Sequence, residues 1–176
     1  MGQSANQTES AVNDNLSMSP DAQARMRRRE VDVFKYYDDM GPGKGNCTWG
    51  AGILAHRGHC SSDELGKKVS RAEVDAEFAR RVAKAEREVR RNVTSHALTQ
   101  AQFDSLVSLT YNTGARGASG TFDLVDSGDL EGAADNISKL TKTMVNGKRV
   151  VARGLIPRRA EEAAPFRSVE SARPAN

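Results

Sequence analysis

The stretch from Glu30 to Gly52, EVDVFKYYDDMGPGKGNCTWGAG, decides how the whole chain reads. It opens on a carboxylate, Glu30, at the end of a helix-like run. A second carboxylate, Asp39, stands at the entrance to a segment where Gly41, Gly43, Gly45, Gly50 and Gly52 recur, with Pro42 among them and Gly58 beyond. Thr48 then opens a short strand-like run. So many glycines exclude a continuous helix and predict turns around a small irregular sheet.

Upstream, Ser19-Pro20-Asp21 has the order of a helix start: a capping hydroxyl, proline at the first helical position and an acid in the first turn. The helix is expected to run through Arg25, Arg27, Arg28 and Arg29 to Glu30 or slightly beyond. Residues 1–19 are rich in Ser, Asn and Gln and poor in large apolar side chains, so they read as a flexible polar tail. Residues 168–176 read as a second, frayed tail.

Downstream, Ser70-Arg71-Ala72-Glu73 is a capping box. Val74, Phe78, Val82, Ala85 and Val89 follow at spacings of three and four and share one helical face. Arg80, Arg81, Arg87, Arg90 and Arg91 lie largely off that face, either solvated or facing an anionic polymer. Thr99 to Gln102 forms a second capping box, with Leu98 placed to staple onto Phe103. Phe103, Leu106, Val107 and Tyr111 make a core stripe that stops near Asn112 and Gly114. Short helices are expected around Phe122 and from Leu130 to Leu140. A tight turn is expected at Asn146-Gly147-Lys148, and a last helix from Pro157 through Phe166. The fold class is α+β and mainly helical. A catalytic domain over 20–167 would hold a Gly-rich β lobe at about 34–65 and a helical lobe at about 68–167.

With 176 residues the chain has room for one domain with a real core. Lys and Arg number 26 against 23 Asp and Glu, a net charge of +3. That suits an acidic partner such as a bacterial envelope and falls short of the excess that nucleic acid binding demands. No apolar run approaches the roughly 20 residues of a membrane span, so stable membrane insertion is not expected. The first residues lack the pattern of a secretory signal peptide.

Glycosidic bond cleavage needs one carboxyl that stays protonated to donate to the leaving oxygen and another that stays ionised. A hydroxyl can hold the water. Glu30, Asp39 and Thr48 offer such a set, and Asp38 is an alternative second carboxylate. Cys47 and Cys60 flank the Gly-rich segment and can be bridged or free. With His56 and His59 they also invite a zinc reading, though at no standard ligand spacing. A Cys47–His nucleophile reading lacks an orienting partner.

The same stretch resembles the phage-type lysozymes, glycoside hydrolase family 24. Their pattern is Glu, eight residues, Asp or Cys, five residues, Thr. Residues 31–38 are the eight, and Asp39 falls in place. Tyr37 matches the family's usual Tyr. Thr48-Trp49-Gly50-Ala51-Gly52 is similar to its Thr-Ile-Gly-Tyr-Gly. Leu98 to Val107, Tyr111 to Gly114 and Gly154 to Glu162 resemble three later blocks, so the likeness covers roughly residues 25–166. Eight residues, 40–47, separate Asp39 from Thr48 instead of five, which fits an inserted loop at 41–45. Arg29, Val31 and Ile53 replace the family's Phe, Gly and His.

The resemblance implies a lysozyme-like fold and hydrolysis of the β-1,4 bond between N-acetylmuramic acid and N-acetylglucosamine, without metal or cofactor. Glu30 would be the general acid, Asp39 would balance positive charge at the sugar, and Thr48 would orient water. The partners would be peptidoglycan strands, not nucleic acid, and the protein a monomer. It would be made in the cytoplasm and act in the periplasm, after holin-dependent release or delivery by a secretion system. Two alternatives stand beside this: a lytic transglycosylase relying on Glu30 alone, and a non-catalytic wall-binding or virion module. Trp49 would stack on sugar or pack the lobe. Arg158 and Arg159 would tie the last helix to the domain.

Overall fold

The computed structural model describes residues 12–30, 33–50, 52–145 and 148–167. Two compact units divide the chain: one over Pro20–Lys84, the other joining residues 12–19 to those from Ala85 onward.

In the first unit, helix α1 covers Pro20–Arg29 and buries Ala22 and Met26. Its acid lies in the first turn and three arginines in the last, the arrangement that complements the helix dipole. Strands β1 (Val33–Asp38), β2 (Cys47–Gly50) and β3 (Ile53–His56) form an antiparallel sheet in the order β1-β2-β3. A one-turn helix, α2 (Ser62–Leu65), follows with Ser61 and Glu64 as its capping box. Helix α3 (Arg71–Asn92) starts as expected: Ser70 Oγ accepts from Glu73 N–H, and the Glu73 carboxylate accepts from Ser70 N–H. Val74, Phe78, Val82, Ala85 and Val89 are all buried along it. The Arg27 guanidinium ties α1 to α3, bonding Asp75 at 2.7 Å and lying over the Phe78 ring.

In the second unit, helix α4 (Gln100–Asp126) carries the Thr99–Gln102 capping box and buries Phe103, Leu106 and Val107 completely. Gly114 breaks it with φ +73°, a left-handed angle that glycine takes without a Cβ penalty. The helix stop near Gly114 and the helix around Phe122 are thus the two arms of one broken rod. Helix α5 spans Leu130–Lys139. Strands β4 (Lys142–Val145) and β5 (Lys148–Val151) pair antiparallel. The sequence reading missed this hairpin: Val150 and Val151 are exposed, so no buried alternation marks it. Residues 146 and 147 of the expected turn lie outside the described residues. Helix α6 (Leu155–Ala163) and a 3-10 turn (Ala164–Phe166) close the unit. The helix therefore begins two residues before Pro157, whose missing N–H falls among first-turn amides that need no intrahelical partner.

Residues 12–19 correct the expectation of a flexible tail. Asn13 is 1% exposed. Its Nδ2 donates to Val93 O and His96 O, and its Oδ1 accepts from Leu98 N–H. Met18 is buried, and Ser19 donates through N–H and Oγ to the Asp104 carboxylate. One buried asparagine with satisfied polar atoms anchors a segment that composition reads as soluble. Residues 1–11 and 168–176 lie outside the described residues.

Candidate active site

Register on the first sheet sorts its side chains. Tyr36 pairs with Trp49, Tyr37 with Thr48 and Asp38 with Cys47. Because successive strand residues alternate faces, Tyr36, Asp38, Cys47 and Trp49 share one side. Tyr37 and Thr48 share the other, continued by Asp39 and Asn46.

The first side is structural. Tyr36 and Trp49 stack with ring centroids 6.2 Å apart and pack against buried Val69 and Val74. Trp49 therefore packs the lobe. Cys47 and Cys60 form a disulfide. Asp38 Oδ1 accepts from Cys60 N–H at 2.7 Å and Oδ2 from Gly43 N–H at 2.6 Å. Those two amides hold its carboxyl below the usual aspartate value. Asp38, the alternative second carboxylate, has its charge spent on backbone. Cys47, His56 and Glu64 bring ligand-type atoms within 4.8 Å of one another, but the Cys47 sulfur is committed to the bridge. A zinc or thiolate-nucleophile reading would need a free thiolate there.

The second side carries Thr48 and is continued by Asp39. Glu30 sits one residue past α1, half-buried, its N–H donating to Arg27 O at 3.3 Å. Asp39 is exposed just past β1, and Thr48 is buried on β2. Tyr37 registers both carboxylates. Burial raises its phenol above the ordinary value, and the charges of Asp39 and then Glu30 raise it further, against a hydrogen bond from the Gly52 backbone. Both carboxyl groups thus lie close enough to act on one phenol, and the hydroxyl of Thr48 lies on its cross-strand neighbour.

Sequence reasoning missed Asn46. Its N–H donates to Asp39 Oδ1 at 2.8 Å and its Nδ2 to Asp39 Oδ2 at 3.3 Å. Its carbonyl accepts from Asp39 N–H at 3.1 Å and from Thr48 Oγ1 at 3.3 Å. Residues 40–45 loop out beyond this closure, so their number leaves the Tyr37–Thr48 register unchanged. The only hint in the sequence was an amide side chain at the exit of a Gly-rich turn.

The family profile described as Phage lysozyme matches residues 30–162. The chain belongs to the phage lysozyme family. Membership makes it a peptidoglycan-hydrolysing glycoside hydrolase. An endolysin of Acyrthosiphon pisum secondary endosymbiont phage 1 is 30% identical over 138 residues, covering 77% of this chain and 93% of that protein. The endolysin of Escherichia coli O157:H7 phage FAHEc1 superposes with TM-score 0.70 at 25% identity, covering 92% of this chain and 98% of the other. The muramidase domain of SpmX from Asticaccaulis excentricus shares the fold, with TM-score 0.66 at 24% identity over 86% of this chain and 98% of that one.

In this phage lysozyme family member a cluster of buried ion pairs ties the second unit together. Arg158 and Arg159 both bond Glu162. Arg158 also reaches Ser108, and Arg159 reaches Leu140 O and Asn112. They tie α6 to α4, as the sequence reading expected. Beside them lies a cavity of about 650 Å³ whose lining includes Lys139, Lys142 and Arg149. Among the described residues no helix is long and apolar enough to cross a membrane.

Proposed function

We propose that the enzyme hydrolyses the β-1,4 bond between N-acetylmuramic acid and N-acetylglucosamine, with Glu30, Asp39 and Thr48 as its working groups. The observation that carries this reading is the register that sets Tyr37 opposite Thr48, with Asp39 just beyond Tyr37 and bonded to Asn46, whose carbonyl accepts from the Thr48 hydroxyl. Glu30 donates the proton to the leaving glycosidic oxygen. Asp39 opposes the oxocarbenium-like charge that develops at the sugar. Thr48 holds the water that completes hydrolysis.

The working place we assign is the wall outside the inner membrane, reached by holin-dependent release or through a secretion machine, with the protein acting as a monomer on glycan strands. The Cys47–Cys60 bridge supports an oxidising compartment.

The test is product analysis. Purified peptidoglycan is digested with wild type and with Glu30→Gln, and fragments are read by mass spectrometry. Reducing-end muramic acid from wild type and none from the variant is expected. Anhydro ends would instead mark a transglycosylase. An intact wall after treatment with folded wild type would mark a binding module.

A further inference from the structure

Asp39 is an exposed carboxylate on a hairpin loop, a place where a side chain ordinarily samples several rotamers. Here one residue takes hold of it three times. Asn46 donates to each carboxylate oxygen and accepts from the Asp39 N–H. Two donors aimed at two oxygens of one planar group fix its orientation.

The same residue acts on Thr48. A threonine hydroxyl has one proton, and that proton goes to the Asn46 carbonyl. What Oγ1 then has left to offer is lone pairs. A water at Thr48 must donate to it and so keeps its own lone pairs free for attack on carbon. The Asn46 carbonyl has two lone pairs, and Asp39 N–H and Thr48 Oγ1 use them.

Asn46 is itself held. Its Oδ1 accepts from Gly58 N–H at 3.3 Å, which sets which end of the amide faces Asp39. Its neighbour Cys47 donates its N–H to Gly58 O at 2.7 Å and is bridged to Cys60. The clamp therefore rests on both the hairpin and the segment after β3.

We propose that Asn46 is the positioning residue of this site, fixing the orientation of the Asp39 carboxylate and the polarity of the Thr48 hydroxyl across a connection three residues longer than the family spacing. The proposal rests on the roles assigned to Asp39 and Thr48 above.

The experiment is steady-state hydrolysis of purified peptidoglycan by wild type, Asn46→Asp, Asn46→Ala and Asp39→Asn, each checked for folding by circular dichroism and Tm. Asn46→Asp keeps the acceptor for Gly58 N–H and all backbone bonds, but sets a carboxylate against Asp39. A misplaced catalytic group loses on the order of 100-fold. Asn46→Asp is expected to lower kcat roughly 10- to 100-fold, with KM changed less than about twofold, because substrate binding is left intact. Asn46→Ala is expected to lower both kcat and Tm. Wild-type kcat in folded Asn46→Asp, beside an inactive Asp39→Asn, overturns the proposal and leaves the site assignment standing. Wild-type kcat in Asp39→Asn overturns the assignment itself. If Asn46→Ala fails to fold, Asn46→Asp decides alone.

Discussion

Asp38 and Cys60 are joined by two routes. The Cys60 N–H donates to Asp38 Oδ1 at 2.7 Å, and the Cys60 sulfur is bonded to Cys47, which pairs with Asp38 across β1 and β2. The bond from Gly43 N–H completes the carboxylate's coordination. The two amides favour the charged form, so the folded-state value lies below the unfolded one. The stabilisation is therefore present above the ordinary carboxylate range and is lost as pH falls through the folded value. Asp38→Asn should melt lower than wild type at neutral pH and lose less Tm on acidification below that range. Its kcat near neutrality should stay close to wild type, in contrast to Asp39→Asn. Melting curves taken across the acid range check the first point and hydrolysis assays the second. Parallel acid profiles would remove the electrostatic role given to Asp38.

The disulfide closes a short loop that contains β3. Cys47 and Cys60 are 13 residues apart, so the bridge should contribute roughly 3 kcal/mol through unfolded-state entropy. Cys60→Ser, or wild type kept under a dithiol reductant, should show a matching fall in the urea midpoint. Equal midpoints with and without reductant would contradict the entropic account.

Arg159 and Glu162 form a nearly sealed ion pair, 1% and 3% exposed at the side chain, with Arg158 and Ser108 sharing the same carboxylate. Removing one member leaves buried charge uncompensated, which typically costs about 3–5 kcal/mol. Glu162→Ala should show this in urea unfolding. Glu162→Gln should recover part of it, because its amide oxygen still accepts from Ser108 and an arginine. A loss below about 1 kcal/mol in Glu162→Ala would mean that water enters and solvates the arginines.

The sequence disclosed what depends on periodicity and capping. The stripe from Val74 to Val89, both capping boxes and the stop at Gly114 follow from local rules, and each appears at its residue. Glu30, Asp39 and Thr48 stood out as candidates through the family resemblance, which left open how Thr48 could meet the other two across a longer loop. The hidden part is non-local. The role of Asn46 depends on register, which the sheet sets and no linear motif displays. The burial of Asn13 depends on amide and carbonyl groups some 80 residues away. Strand β5 is exposed at every residue and so gives no alternation to detect.

The inserted loop is less neutral than its composition suggests. From sequence, deleting Pro42, Gly43 and Lys44 restores the family spacing and should leave activity retained or modestly changed. The structure adds a cost, because Gly43 N–H is one of the two donors to Asp38. The deletion should still fold, since Asp39 and Asn46 close the hairpin inside it. Stability should fall with the loss of that charge-assisted hydrogen bond. Thermal melts and hydrolysis rates of the deletion check both halves. A folded deletion with no activity would show that the loop itself shapes the site.

Gly45 offers the finest probe of Asp39. Its φ is +76°, and a Cβ built there would overlap Asp39 Oδ1 and stand 2.8 Å from Met40 Cγ. Gly41 has a similar φ of +94° with nothing within 4 Å of the same position. Alanine at either site meets the same left-handed strain, about 1 kcal/mol. Only at Gly45 does it also displace the carboxylate. Gly41→Ala should therefore lose a little Tm and keep its kcat. Gly45→Ala should lose similar or slightly more Tm and at least about tenfold in kcat, on the scale of a displaced catalytic group. The pair separates backbone strain from carboxylate placement within one loop. Equal kcat in the two variants would mean that the Asp39 carboxylate reaches its working position without the fit that Gly45 allows.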